Sequence, residues 1–556
     1  MSSSSKKKLR KEQAAEGLTK KQLDAQKEAK SLKKQTLLFI VVLAIVVCTA
    51  AATLIVRGYR NSGIQERNTV AMTVNDHSLS TAEFNYFYID AINNFYKDLY
   101  NNYGTSTAYY VQMMYGLDFS TPLDQQYYDQ DNTTTWADYF LDMAKYNAQY
   151  AYAIYDEAMA NSYTMSQDEQ DYYDSQVNAM PAMAENSGFK NLKSYLKNLY
   201  GNGATEKTYK DYFEVNTIAN FYNAAHADSI TYTDDEIRAY DAEHVNDYTS
   251  YTYASYYLSK SGYLTGGTTD DEGNTTYSDE EQKAAVEAAK QDADQLVAAA
   301  TSLEALDAAI AKLEVNAEEE NAASTKNVDK FYNSINSTHR DWLTDSARKA
   351  GDVTCIPYTV EKTDDDGNTT TSVNGYYILY FQGTNDNKFP LVNVRHILVG
   401  FEGGTKDADG NTTYSDEEKA AAKETAEALL AQWEAGEATE DSFAALAQEK
   451  STDTGSKENG GLYTDIYPGQ MVTAFNDWCF ESGRQAGDTG IVETEYGYHI
   501  MYFSSFSDIL YRDYMITNTM RSEDLTAWQT NLYDSAQVTE KDFSLVNTGL
   551  VLSGSY

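Results

Sequence analysis

The chain has 556 residues, 42% of them hydrophobic, and a formal net charge of −41. That length exceeds what one hydrophobic core sustains and calls for roughly three or four domains. The charge argues against nucleic acid as a partner, because binding a phosphate backbone needs the opposite sign. Three cysteines are too few for a disulfide framework, and no Cys/His spacing predicts a metal centre.

Residues 1–36 hold eleven Lys/Arg against four acids, a net +7, and are followed at 37–56 by LLFIVVLAIVVCTAAATLIV, twenty residues without a charge. Such a run is long enough for a helix to cross a bilayer. By the positive-inside rule the tail stays in the cytoplasm and everything after Arg57 is exported. Without the tail, the exported part carries about −48. A cleaved signal peptide ending near Ala50–Ala52 is disfavoured by the long basic lead. A lipid-modified Cys48 is disfavoured by Val47, which stands where that signal wants a small residue.

Residues 57–245 are rich in Tyr and Asn, with helical periodicity in TAEFNYFYIDAINNFYKDLY (81–100) and WADYFLDMAKYNAQYAYAIYDEAMA (136–160). Beyond them the chain repeats itself. GNTTYSDEE occurs at 273–281 and again at 410–418, each followed by an Ala/Glu/Lys-rich amphipathic helix. DWLTDSARKAGDV (341–353) matches DWCFESGRQAGDT (477–489), and NGYYILYF (374–381) matches YGYHIMYF (496–503). SYTYASYYLSK (250–260) faces LVNVRHILVGF (391–401). Two related domains are therefore expected at 246–388 and 389–506, each mixing helices with a small antiparallel sheet. A last segment, 507–556, carries a helical pattern near 513–536 and is expected to pack against the N-terminal helices.

The acidic text of the repeat also has oxygen ligands at calcium-loop spacing: Asp407, Asp409, Asn411, Ser415 and Glu418, with a parallel set from Asp270 to Glu281. Thr412 and Thr275 stand where such a loop needs Gly. A turn leading into a Ser-capped helix accounts for the same letters more simply. No metal and no cofactor is assigned.

VRHILVGF (394–401), FAALAQEKSTD (443–453), NGGLYTDIYPGQMVTAFNDWCF (459–480) and TEYGYHIMYF (494–503) resemble, in sequence and order, the parvulin peptidyl-prolyl isomerases. The resemblance implies paired histidines at His396 and His499, with Asp453 and Thr494 beside them. It also implies a proline pocket from Leu462, Met471 and Phe475. In the first copy the histidine places fall to Tyr256 and Tyr377, His339 falls near the place of Phe475, and the Gly-Gly-Leu and Gly-Gln-Met blocks are missing. That copy is accordingly read as degenerate. AMTVNDHSLSTAEF (71–84) and ITYTDDEIRAYDAEH (230–244) resemble signatures flanking the chaperone domain of PrsA- and SurA-type exported foldases.

The fold class expected is α+β: a basic tail (1–36), one transmembrane helix (37–56), a helical chaperone-like domain (57–245), a degenerate parvulin-like domain (246–388), an isomerase domain (389–506) and a helical end (507–556). The implied function is a single-pass, membrane-anchored extracytoplasmic foldase acting on unfolded or newly exported polypeptides with X-Pro bonds, without nucleic acid. A non-enzymatic holdase or scaffold is the alternative, and a surface adhesin the more remote one. The acidic loop 402–418 argues against phosphorylated substrates, whose phosphate would need Arg or Lys.

Overall fold

The structure is a computed structural model that describes residues 20–129, 131–319, 322–363, 369–406 and 412–550, with isolated positions 4, 5, 7 and 367. The chain divides into two compact units, 1–230 with 523–556, and 231–522. The helix Asp234–Glu243 thus falls in the second unit, moving the expected boundary at 245 back to 230. The C-terminal segment is split at 522.

In the first unit, helix α1 (Lys20–Asn61) contains the whole apolar run 37–56. Among the described residues, which leave out the side chains of most of 20–41, no helix is long and apolar enough to cross a membrane. Strands β1 (Val70–Val74) and β2 (His77–Ser80) then form a hairpin. Ser80 caps helix α2 (Thr81–Tyr103) through a reciprocal bond with Glu83. Helices α3 (Trp136–Ala160) and α4 (Glu206–Ser229) pack with α2, and their apolar faces bury Phe84, Tyr86, Tyr88, Trp136 and Phe140 completely. As expected, the chain end returns to this unit. Val538–Glu540 adds a third strand on β1, and Phe543 packs on Phe84 with ring centroids 4.9 Å apart.

The second unit opens with helix α5 (Asp234–Glu243) and holds two four-stranded antiparallel sheets. The first is built from β3 (Ser250–Ser259), α6 (Asp279–Ala299), α7 (Leu303–Ile310), β4 (Thr325–Phe331), α8 (Ser337–Leu343), β5 (Val353–Thr363) and β6 (Thr369–Asn385). The second runs β7 (Pro390–Gly400), α9 (Asp416–Glu434), α10 (Glu440–Lys450), β8 (Leu462–Ile466), α11 (Thr473–Cys479), β9 (Thr489–Thr494) and β10 (Gly497–Leu510). Their strand orders, β4-β3-β6-β5 and β8-β7-β10-β9, are the same. Each sheet buries one face under its long Ala-rich helix and the other under its short helix.

The repeated nonapeptide has a structural explanation. Glu281 accepts hydrogen bonds from the N–H groups of Gly267 (2.9 Å) and Ser278 (2.8 Å), so one carboxylate ties a hairpin to the start of α6. Glu418 repeats this with Gly404 and Ser415, both at 2.8 Å. Gly267 and Gly404 have φ near +80°, which only glycine adopts freely. The terminal carboxylate of the calcium reading, Glu281 in one copy and Glu418 in the other, is thus committed to turn and cap. Asp407, Asp409 and Asn411 lie outside the described residues.

Arg512, only 2% exposed, joins the parts of this unit. Its guanidinium pairs with Asp241 of α5 and donates to the carbonyls of Asp386 (3.1 Å) and Val245 (3.0 Å). Removing one partner of such a buried pair strands the other charge. Arg512→Ala is expected to destabilise the second unit by about 3–5 kcal/mol, read as a lowered urea midpoint by tryptophan fluorescence.

Candidate active site

Antiparallel pairing of β7 with β10 sets His396 opposite Met501 and His499 opposite Leu398, so the two histidines are diagonal neighbours on one face. Their Nδ1 atoms lie 2.9 Å apart, and both rings are buried. Beyond His396, Nε2 lies 2.9 Å from Oδ2 of Asp453 and 3.0 Å from Oγ of Ser456. Beyond His499, Nε2 lies 2.8 Å from Oγ1 of Thr494. Asp453, His396, His499 and Thr494 therefore form one continuous chain, as the sequence leads one to expect.

One proton arrangement satisfies all of these contacts. His396 donates from Nε2 to Asp453, His499 donates from Nδ1 to His396, and Thr494 donates to Nε2 of His499. Both imidazoles are then neutral, and burial favours that state. Burial pushes His396 below the usual histidine range against the opposing pull of Asp453. Burial, aided by the neighbouring His396, takes His499 down to about 4. For Asp453 burial acts upward, but hydrogen bonds from Ser456, His396 and the Gly455 N–H outweigh it and bring the carboxyl to about 2.

The sequence reading missed two members of this network. Ser456 donates to Oδ2 of Asp453 at 2.5 Å, and the Tyr463 hydroxyl donates to the same oxygen at 3.1 Å. The loop carrying Asp453 is fixed to β7, with Thr452 N–H on the Leu398 carbonyl at 2.9 Å and the Leu398 N–H on Ser451 Oγ at 3.1 Å. Gly461 passes so close to β7 that a Cβ there would sit 2.1 Å from the His396 carbonyl oxygen, which accounts for the Gly-Gly pair.

Of the three residues expected to form a pocket, the structure places Phe475 and Met471 on the histidine face and Leu462 on the other. Phe475 stands edge-on to both imidazoles at 5.4 Å, and Met471 packs in the same apolar cluster. Leu462 pairs with Arg395, on the face of the sheet opposite the histidines. Tyr463 pairs with Val394, on the histidine face, and its ring lies 5.4 Å from that of His396. A one-residue slip along a strand exchanges faces, and Tyr463 takes the place expected for Leu462.

Family-level comparison agrees with the geometry. Residues 376–504 match the model of the PPIC-type PPIASE domain. The chain carries a parvulin domain. The region is 32% identical over 112 residues to the foldase protein PrsA 2 of Listeria monocytogenes, covering 20% of this chain and 30% of that protein. It is 48% identical over 60 residues to PrsA 3 of Bacillus anthracis, covering 11% of this chain and 20% of that protein. The chain thus spans less than a third of the length of these curated relatives. Among solved structures, PrsA from Bacillus subtilis aligns with 76% of this chain and 95% of its own at 14% identity and a TM-score of 0.27.

The same register can be read in the first sheet of this parvulin-bearing chain. Gly375 pairs with Ser259 as Gly497 pairs with Gly400, so Tyr377 takes the place of His499. Ser255, rather than the expected Tyr256, takes the place of His396. Tyr358 stands where Thr494 does, because Ile356 faces Tyr377 as Val492 faces His499. His339, on α8, occupies the place of Phe475 and meets the Tyr377 ring edge-on at 4.6 Å. It is buried, has no hydrogen-bond partner on either ring nitrogen among the described residues, and is lowered to about 4 by burial. The imidazole chain is replaced by a cluster of edge-on and tilted aromatic rings.

Because His499 has about 4 folded against roughly 6.5 unfolded, the unfolded chain binds more protons between those values and stability falls as pH drops through that window. Asp453 adds a second loss between roughly 3.9 and about 2. Urea midpoints measured from pH 7.5 to 4.5 are expected to decline, and the decline is expected to be shallower in His499→Gln.

Proposed function

We propose that this chain is a membrane-anchored foldase whose residues 389–506 isomerise X-Pro bonds in polypeptides folding outside the cytoplasm. The observation that carries this reading is the uninterrupted chain from Asp453 to Thr494 through two neutral histidines, walled by Phe475. Rotation about an X-Pro bond has a barrier of about 18–20 kcal/mol and breaks no covalent bond. A catalyst need only hold the twisted amide more tightly than the planar forms. The twisted amide has lost resonance and is less dipolar, so an apolar pocket from Met471, Phe475 and Tyr463 disfavours it less than the ground state. Two imidazoles that fix each other's tautomer present fixed donors and acceptors at the imide.

The anchor is supported by two features. The apolar run lies within one helix, and its side chains from Val42 to Val56 include exposed Leu43, Ile45, Val46, Val47, Leu54 and Ile55, uncovered by protein. Its flanking charges follow the positive-inside order. Alkaline carbonate is expected to leave the full chain in the membrane pellet and to release a chain lacking 1–60.

A holdase without catalysis is favoured by one observation, the loss of the histidine chain in 246–388. We read that copy as a degenerate parvulin-like domain without turnover, and the observation does not extend to the second copy. With a proline-containing peptide and the full chain, His396→Ala/His499→Ala is expected to lower the cis/trans exchange rate by about 10- to 100-fold, the scale of one or two lost hydrogen bonds in the transition state. Ser255→Ala and Tyr377→Phe are expected to leave it unchanged. Line-shape or exchange NMR reads both, and a full chain that exchanges the peptide no faster than the peptide alone would favour the holdase.

A further inference from the structure

The first unit contains a cleft that the isomerase reading does not use. Helices α2, α3 and α4 enclose a cavity of about 380 Å³. Asp90 lines it from α2, Tyr150 from α3, and Tyr209 and Tyr212 from α4. The Tyr212 hydroxyl donates to Oδ2 of Asp90 at 2.6 Å. Asn94 and Asn220, both exposed, stand on the lining as well, and Asn147 and Asn216 are half-buried there.

Asp90 is the unusual group. Burial raises its carboxyl, and hydrogen bonds from Tyr212 and Asn93 only partly offset that, with no cationic partner among the described residues. Some carboxylates of this unit meet a cation, as Asp211 meets Lys207 and Glu206 meets Lys210, and others, such as Asp171 and Asp174 with Gln167 and Gln170, meet neutral donors at the exposed helix surface. Asp90 is half-buried, and a partly desolvated carboxylate without a counter-charge costs stability. Here it faces an open cavity whose walls are aromatic and whose remaining polar groups are neutral amides. Aromatic faces attract cations, and amide oxygens accept from N–H donors.

We propose that this cleft binds the alkylammonium or guanidinium head of a basic side chain on an extended polypeptide. The head pairs with Asp90, the aliphatic stem lies along Tyr150 and Tyr209, and the amides of Asn94 and Asn147 receive the neighbouring peptide groups. The site is independent of proline, since nothing in it resembles the pocket at Phe475. It gives the chain a second hold on a client, selected by charge of the sign opposite to its own −41.

The test is calorimetric titration of the detergent-solubilised full chain with a nine-residue Ala/Ser peptide that lacks proline and carries one central lysine. A norleucine version and free n-butylamine serve as separate arms. The lysine peptide is expected to bind at least tenfold more tightly than the norleucine peptide, and more tightly than n-butylamine. Asp90→Asn is expected to abolish that preference. Asn94→Lys, an exposed substitution that leaves the core intact, is expected to do the same by placing its own ammonium at the mouth. Equal binding of the two peptides, or a preference that survives both variants, would overturn the proposal. Binding of n-butylamine as tight as the peptide would overturn its polypeptide part. Circular dichroism of each variant shows whether a loss reflects unfolding, and Asn94→Lys decides the matter if Asp90→Asn does not fold.

Discussion

Two imidazoles can share a hydrogen bond inside a sheet only if the ladder puts them on one face and within reach. The β7–β10 register does this by setting His396 and His499 on a diagonal, each opposite a hydrophobic residue of the other strand. The rest of the site follows from that placement. Asp453 must come from the loop after α10, because that loop is bonded to β7 through Thr452 and Ser451. Thr494 must end β9, because β9 pairs with β10 and its last residue faces Gly497, two positions from His499. Phe475 then closes the apolar side from α11.

The register also accounts for what was and was not legible in the sequence. His396, His499, Asp453 and Thr494 could be found because each lies in a short motif whose order is distinctive. Leu462 was misplaced because a strand alternates faces with every residue, and the letters of Gly-Gly-Leu-Tyr do not say where the alternation starts. Pairing with Arg395 and Val394 settles it in favour of Tyr463. Tyr256 was misassigned for the same reason, by one position. Ser456 gave no signal, since a serine in a loop between a helix and a Gly-Gly pair is ordinary text. Its role depends on a three-dimensional contact with Asp453.

The helical unit was legible in kind but not in extent. Apolar periodicity marks α2 and α3, and Ser80 with Glu83 marks where α2 begins. That α5 leaves this unit could not be read from its Thr233–Glu236 cap, which is the same device used at Ser80. What assigns α5 is Asp241, whose partner Arg512 lies 271 residues away. Ion pairs across such a separation leave no local trace.

The two sheets together separate fold from chemistry. They share strand order, hairpin, cap and pairing register, and the same Glu fixes the same glycine turn in both. The polar chain in one is a cluster of edge-on aromatic rings in the other, and the sheet tolerates either because each fills the same space between the strands and the short helix. Neutrality is the common feature. Burial holds His499 and His339 alike at about 4. Beside the ionised Asp453, the two imidazoles stay neutral, whereas an imidazolium would be stabilised by negative charge and lose its acceptor nitrogen. Depth therefore keeps both imidazoles neutral, and with them the donor and acceptor order of the chain, despite the charge of the protein around them.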